Sequence, residues 1–198
     1  MELTDIQEFY ITMFLNKKFV FETNFGRLVI KFDESNFCHL IGLHYYDRKL
    51  KGFQGWELIK KKKITLKEIK KSNKNVFNNT INNRIQVLYK IIDIFQDTKE
   101  IKRFKRIDNS KFECDLFMYN KDKNIFYIIS FILDNSTKSF FAPESCLLFY
   151  KSDLSSIKYL GPDCYVLIVD KYSCTENFSH IINNINLEDF DIRNNINN

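Results

Sequence analysis

The chain has 198 residues, of which 44% are hydrophobic and 16% aromatic, a composition that supports one well-buried core. No stretch reaches the roughly 18 uninterrupted apolar residues of a membrane span, and the first residues, MELTDIQEFY, lack the basic region of a secretory signal. The formal net charge of +5 is uneven, because Arg48 to Lys74 carries eleven basic and two acidic residues, a local +9 against −4 elsewhere.

Three short elements are predicted at the start of the chain. Residues 4–18 have apolar side chains at helical spacing and predict an N-terminal helix. Residues 18–32 predict two strands joined by an Asn-Phe-Gly turn, which is a β-hairpin. Residues 34–42 predict a short helix that ends at Gly42, because glycine accepts the left-handed conformation found at helix ends.

The rest of the chain predicts helices followed by a sheet. Residues 53–98 are helical in pattern, and the last helix is amphipathic. After about residue 100 the period changes to two, which indicates roughly four antiparallel strands. The sequence therefore predicts an α+β fold. We expect a single domain over residues 1–185 and a flexible Asn-rich tail over residues 186–198.

The five cysteines are odd in number, widely spaced and without a C-x-x-C pair. This spacing argues against a zinc cage and against a disulfide framework. Reduced thiols in the cytoplasm are the expected state.

Two of the three histidines, His39 and His44, lie five residues apart in the stretch NFCHLIGLHYYDR. On a continuous helix they would point about 140° away from each other. If Gly42 ends the helix, the chain folds back and both rings face one cleft. Imidazoles titrate near neutral pH, so two of them supply a general base and a general acid. Cleavage of RNA needs little more than this pair and a Lys or Arg that stabilises charge on the phosphate.

Two other interpretations of the pair stay open. A metal site is disfavoured because no third His lies near H-x₄-H and Asp47 is the only close carboxylate. A structural interpretation makes His39 a half-buried packed residue and His44 a cationic helix cap. The sequence contains no phosphate-loop, dinucleotide-binding, nucleophile-elbow or zinc-protease motif. We therefore expect no cofactor and no metal, which leaves acid–base chemistry or simple binding.

The motif that follows the predicted hairpin resembles the opening of a phage-associated nuclease family, which groups barnase, EndoU, the colicin tRNases and RelE. The motif is F-x-H-L-x-G-L-H, formed by Phe37, His39, Leu40, Gly42, Leu43 and His44. Such domains place helices before a four-stranded antiparallel sheet, and the elements predicted over about residues 17–172 follow the same order. The resemblance implies a metal-independent endoribonuclease, often carried by phages, mobile elements or toxin systems.

The resemblance implies a catalytic role for His39, with His44 beside it, and further catalytic groups on the sheet face or its loops. The candidates in the stretch DNSTKSFF are Ser136, Thr137 and Ser139 for catalysis and Lys138 for phosphate binding. Arg84, on the long helix, is a further candidate for a phosphate contact. A plain hairpin turn is the competing interpretation of DNSTKSFF, since Asn, Ser and Thr are common turn residues.

The basic segment supplies the remaining candidates for substrate binding. They are Arg48, Lys60, Lys61, Lys62 and Lys63 for phosphate groups, and Tyr46 with its neighbour Tyr45 for stacking on an unpaired base. A solvated lysine-rich surface and a pair of half-buried tyrosines are the competing interpretations.

These residues together predict a cytoplasmic endoribonuclease that leaves 2′,3′-cyclic phosphate and 5′-hydroxyl ends, with base and acid in unassigned order. The expected partners are RNA and a cognate antitoxin or immunity protein, and no membrane. The alternative is a non-catalytic nucleic-acid- or protein-binding module that retains the fold. The substitution His39→Ala separates the two, because it abolishes turnover by an enzyme and leaves the affinity of a binding module intact.

Overall fold

A computed structural model describes residues 2–24, 26–103, 114–150 and 166–176. Over these residues the chain forms a set of helices packed on one sheet. The predicted flexible tail, residues 186–198, lies outside the described residues.

The N-terminal elements follow the predicted order. Helix α1 spans Leu3–Phe14. Strands β1 (Lys17–Thr23) and β2 (Gly26–Lys31) form an antiparallel hairpin. Helix α2 spans Glu34–Leu40 and begins at a capping box on Asp33, whose side chain satisfies an N–H group that the helix leaves unpaired. The predicted N-terminal helix and hairpin are therefore confirmed.

The helical middle is also confirmed, although it is divided into several pieces. These are a 3-10 helix at Leu43–Tyr45, α3 at Gly52–Lys60, α4 at Leu66–Ser72, α5 at Lys74–Val76, a π-helical turn at Phe77–Ile81 and α6 at Asn82–Asp97. Helix α4 begins where the side chains of Thr65 and Glu68 cap each other's backbone N–H groups. The π-helical turn leads directly into α6, and such turns are frequent near functional sites.

In the part of the chain that the structure describes, the sheet has seven strands rather than the predicted four. The later strands are β3 at Glu100–Arg103, β4 at Leu116–Asp122, β5 at Ile125–Leu133, β6 at Phe141–Tyr150 and β7 at Val166–Glu176. The prediction was wrong because a period of two identifies a strand but not its partners. The N-terminal hairpin joins the later strands, with β1 antiparallel to β7 and β2 parallel to β6, and β3 lies between β4 and β7. The order β1-β2-β6-β5-β4-β3-β7 closes the sheet, since β7 pairs with β1.

The apolar stripe of α6 lies at the centre of the core. Ile85, Ile91 and Phe95 are each at most 2% exposed. The Phe95 ring centre lies 5.1 Å from that of Phe19 on β1, a separation typical of favourable aromatic pairs. This packing fixes α6 against the sheet and so fixes Arg84, which immediately precedes the stripe.

Candidate active site

The structure brings the two histidines of the motif together. His39 lies in the last turn of α2 and His44 in the 3-10 helix that follows. Between them Gly42 has a φ of 77°, in the left-handed region, and this residue reverses the direction of the chain. The two rings are stacked, with centroids 4.4 Å apart and planes 5° from parallel. The pair is therefore one structural unit.

Position 42 requires glycine for a second reason. A Cβ atom there would lie 2.7 Å from Cδ of Arg84 and 3.2 Å from Cγ2 of Thr80. Thr80 belongs to the π-helical turn, and Arg84 lies in the first turns of α6. The histidine turn thus rests directly on the start of α6 with no space between them.

Arg84 is buried and forms hydrogen bonds with both the histidine turn and Tyr45. It is 7% exposed, and its Nη1 donates to the backbone carbonyls of His39 at 3.2 Å and Leu40 at 3.5 Å. Its Nη2 donates to the hydroxyl of Tyr45 at 3.4 Å. Burial lowers the pKa of the guanidinium from its ordinary value, yet an arginine remains charged at neutral pH. The carbonyls that it contacts belong to the last two residues of α2, and the dipole at this C-terminal end of the helix favours a cation.

Glu144 on β6 was not among the residues predicted from the sequence. In the pairing of β5 with β6, Ser130 lies opposite Ser145 and Phe131 opposite Pro143, so Glu144 is the extra residue of a β-bulge. Bulges redirect a side chain out of the regular alternation and often occur beside active sites. The Oε1 atom of Glu144 lies 3.2 Å from Nε2 of His39. The available signal was Pro143, since proline within a strand is found at edges and bulges.

His44 is held in its neutral form. Burial is the largest cause that lowers its pKa, the charges of His39 and Arg84 act in the same direction and Glu144 in the opposite one, and together they bring the pKa to about 4. Its Nδ1 atom is buried and has no hydrogen-bond partner among the described residues. The two stacked rings therefore differ in environment. His39 contacts the carboxylate of Glu144, whereas His44 is partly buried beside His39 and Arg84.

One protein-family model, that of phage-Barnase-EndoU-ColicinE5/D-RelE like nuclease 4, matches residues 2–195. The chain belongs to this family. The family resemblance based on the motif around His39 and His44 is thereby confirmed, and nuclease activity is the property that the family's description names. No curated protein and no solved structure matches the chain.

In this barnase/EndoU/colicin/RelE-like protein, the predicted hydroxyl cluster forms the turn between β5 and β6. Asp134 accepts hydrogen bonds from Ser136 Oγ at 2.7 Å, from the backbone N–H of Thr137 at 2.7 Å and from Thr137 Oγ1 at 2.8 Å, and these bonds lower the pKa of Asp134 to about 2. Ser139 Oγ is 2.7 Å from Thr137 Oγ1, and Lys138 Nζ donates to Asn135. These bonds hold the turn together, and none of them reaches the histidine pair.

The predicted basic residues of this family member lie on helix ends and turns. Lys60, Lys61, Lys62 and Lys63 are exposed at the end of α3, where the ammonium groups of Lys60 and Lys61 lie 3.9 and 3.3 Å from the carboxylate of Glu57. Arg48 is exposed just after the 3-10 helix. Tyr46 is half-buried, and its hydroxyl accepts a hydrogen bond from Ser72 Oγ at 3.0 Å. This bond connects the histidine turn to the end of α4.

Residues 2–24, 26–103, 114–150 and 166–176 contain no group of three or more His, Cys, Asp or Glu side chains arranged to hold a metal ion. Nor do they include a helix whose length and apolar character would allow it to cross a membrane.

Proposed function

We propose that this protein is a metal-independent endoribonuclease that cleaves RNA by acid–base catalysis and leaves 2′,3′-cyclic phosphate and 5′-hydroxyl ends. One observation carries the proposal. In a chain of a nuclease family, two imidazole rings stack at 4.4 Å, and one of them contacts a carboxylate on a β-bulge at 3.2 Å. Two proton-transfer groups at this spacing suit a reaction in which one proton leaves the substrate and another enters it.

His44 is the general base in this proposal, and His39 is the general acid. With a pKa of about 4, His44 is neutral at pH 7 and can accept a proton. A protonated His39 forms an ion pair with Glu144. The 2′-hydroxyl gives its proton to His44 as its oxygen bonds to phosphorus. The bond from phosphorus to the 5′-oxygen breaks, and this oxygen takes the proton of His39. Parallel rings 4.4 Å apart can serve the attacking and leaving oxygens of a single phosphate.

Positive charge close to the pair stabilises the charge that develops on the phosphate. Arg84 lies directly beneath the histidine turn, and its charge supplies a fixed positive potential there. The basic segment, including Arg48 and Lys60 to Lys63, attracts the RNA backbone over a longer range. Lys138, in the β5–β6 turn, is a further cation for this purpose. Such attraction weakens as the salt concentration rises.

The proposed setting is that of a phage, mobile-element or toxin nuclease acting in the cytoplasm. A nuclease that cleaves the RNA of the cell that makes it requires control. A cognate antitoxin or immunity protein is therefore the partner that we propose in addition to RNA.

The deciding experiment is cleavage of total RNA and of a tRNA pool, with EDTA present throughout. We expect wild type to cut and to leave cyclic-phosphate ends, and His39→Ala to lose at least about 100-fold in rate, the smallest usual contribution of a general acid. The control is His180→Ala, which removes the third histidine, to which no role is assigned.

The competing result identifies a binding module. If wild type binds RNA with a steep salt dependence yet leaves it intact, and His39→Ala binds equally well, the proposal of catalysis is wrong. If His39→Ala cleaves RNA as fast as wild type and His180→Ala do, the assignment of His39 as the acid is wrong.

A further inference from the structure

Tyr45 is unusually exposed for an aromatic residue beside a candidate active site. Its side chain is 54% exposed, whereas Arg84, which contacts it, and Leu43 in the same 3-10 helix are buried. The Tyr45 ring centre lies 4.2 Å from that of His44, with the planes tilted by 39°. Because His44 in turn stacks on His39, three rings follow one another, and Tyr45 is the one at the solvent end.

The Tyr45 ring is also held in a fixed position. Arg84 donates to its hydroxyl at 3.4 Å, and the guanidinium carbon lies 5.1 Å from the ring centre. The same guanidinium donates to the carbonyl of His39. One buried side chain therefore positions both the exposed ring and the catalytic pair. An aromatic ring that is already ordered loses little conformational entropy when a ligand stacks on it.

The neighbouring Tyr46 is less suited to this role. It is half-buried, and its hydroxyl is bonded to Ser72 at the end of α4. The larger free aromatic surface next to the histidines thus belongs to Tyr45.

We propose that Tyr45 stacks on an unpaired base of the nucleotide next to the cleaved phosphate, and that the substrate class is therefore single-stranded RNA. A base within a duplex is covered on both faces by its neighbours, so only an unpaired base can stack on a protein ring. Stacking tolerates any base, because each has an aromatic face. This inference rests on the proposed endoribonuclease activity and adds a binding subsite to it.

The test uses a short RNA in which every nucleotide is 2′-O-methylated, so that it lacks the attacking hydroxyl, and which carries the fluorescent base 2-aminopurine. Stacking on tyrosine quenches this base. We expect Tyr45→Leu to weaken binding about 5- to 150-fold, the usual range for one stacked base, and to remove the quenching. Tyr45→Phe loses the hydrogen bond from Arg84 but keeps the ring and its contact with the guanidinium, so it should retain the quenching and most of the affinity.

The matched control is Tyr150→Leu. Tyr150 is 50% exposed, but it lies six residues along β6 from Glu144, about 20 Å on an extended strand. Its replacement should leave affinity and quenching unchanged. The same RNA annealed to its complement should bind without any further quenching by the protein, and Tyr45→Leu should not affect that binding.

Two results would overturn the inference. One is unchanged affinity and quenching in Tyr45→Leu, and the other is equally tight binding of the duplex with quenching by wild type. Cleavage of total RNA is measured separately, so a protein that cleaves but does not use Tyr45 retains the proposed function and loses only this subsite. A protein that quenches through Tyr45 but never cleaves retains the subsite and loses the nuclease proposal.

Discussion

The contact between Gly42 and Arg84 makes a quantitative prediction about stability. In Gly42→Ala the new Cβ would lie 2.7 Å from Cδ of Arg84, which is 7% exposed and has little room to move. Gly52 offers a matched control, because its φ of 56° is also left-handed and nothing lies within 4 Å of its added Cβ. Both substitutions carry the same backbone strain of about 1–2 kcal/mol, and both remove similar freedom from the unfolded chain.

The difference between the two variants therefore measures the displacement of Arg84. Hydrogen bonds from a charged donor are worth about 1.5–3 kcal/mol each, and the shift weakens those to the carbonyls of His39 and Leu40. We expect Gly52→Ala to lower the free energy of unfolding by about 1–2 kcal/mol and Gly42→Ala by about 3–5 kcal/mol. Gly42→Ala should also lose activity, because it displaces the histidine turn.

Urea denaturation at pH 7 measures both free energies, and RNA cleavage measures activity on the same preparations. Equal slopes with denaturant would show that the two variants unfold from comparably compact states. If Gly42→Ala is no less stable than Gly52→Ala, the close packing of the turn on Arg84 is not a source of stability, and the reasoning is refuted.

Two further predictions concern the charges of the pair. Because the pKa of His44 falls from about 6.5 in the unfolded chain to about 4 in the folded protein, protons bind the unfolded chain better between these values. The stability due to neutral His44 is thus fully present above pH 6.5 and is lost as pH falls through 4. Urea midpoints measured across this range should record the loss in wild type, and His44→Gln should reduce it. Equal losses in the two proteins would contradict the assigned pKa. Glu144→Gln should lower kcat about 100-fold with little change in KM, because it keeps the shape but not the charge of the group that orients His39. The control Glu22→Gln disrupts a different ion pair, with Arg27 at 2.9 Å, and should leave kcat unchanged. If Glu144→Gln changes KM more than kcat, Glu144 has a role in binding instead.

Local features of the fold could be predicted from the sequence. The hairpin, α2 and the amphipathic α6 depend on turn residues, caps and periodicity, which lie within a few residues of one another. The proximity of His39 and His44 also depends on one local feature, the left-handed Gly42 between them.

Contacts between distant segments could not be predicted in this way. The pairing of β1 with β7 and the parallel contact of β2 with β6 are set by tertiary packing, so the count of four strands was too low. Glu144 was missed for the same reason. A bulge depends on how β6 aligns with β5, and only Pro143 marks its place in the sequence.

Because the sheet closes only when β7 pairs with β1, a growing chain can complete its fold only late in synthesis. His39 and His44 are synthesised early, but Glu144 follows His39 by 105 residues. Phe19 on β1 can pair with Cys174 on β7 only after that residue has been synthesised. Pairings between such distant segments form slowly. Under the proposed activity, a nascent chain that has not reached residue 144 lacks both the carboxylate and β7. RNA close to the ribosome that makes the protein would therefore meet a working nuclease only after β7 has been synthesised and has paired with β1.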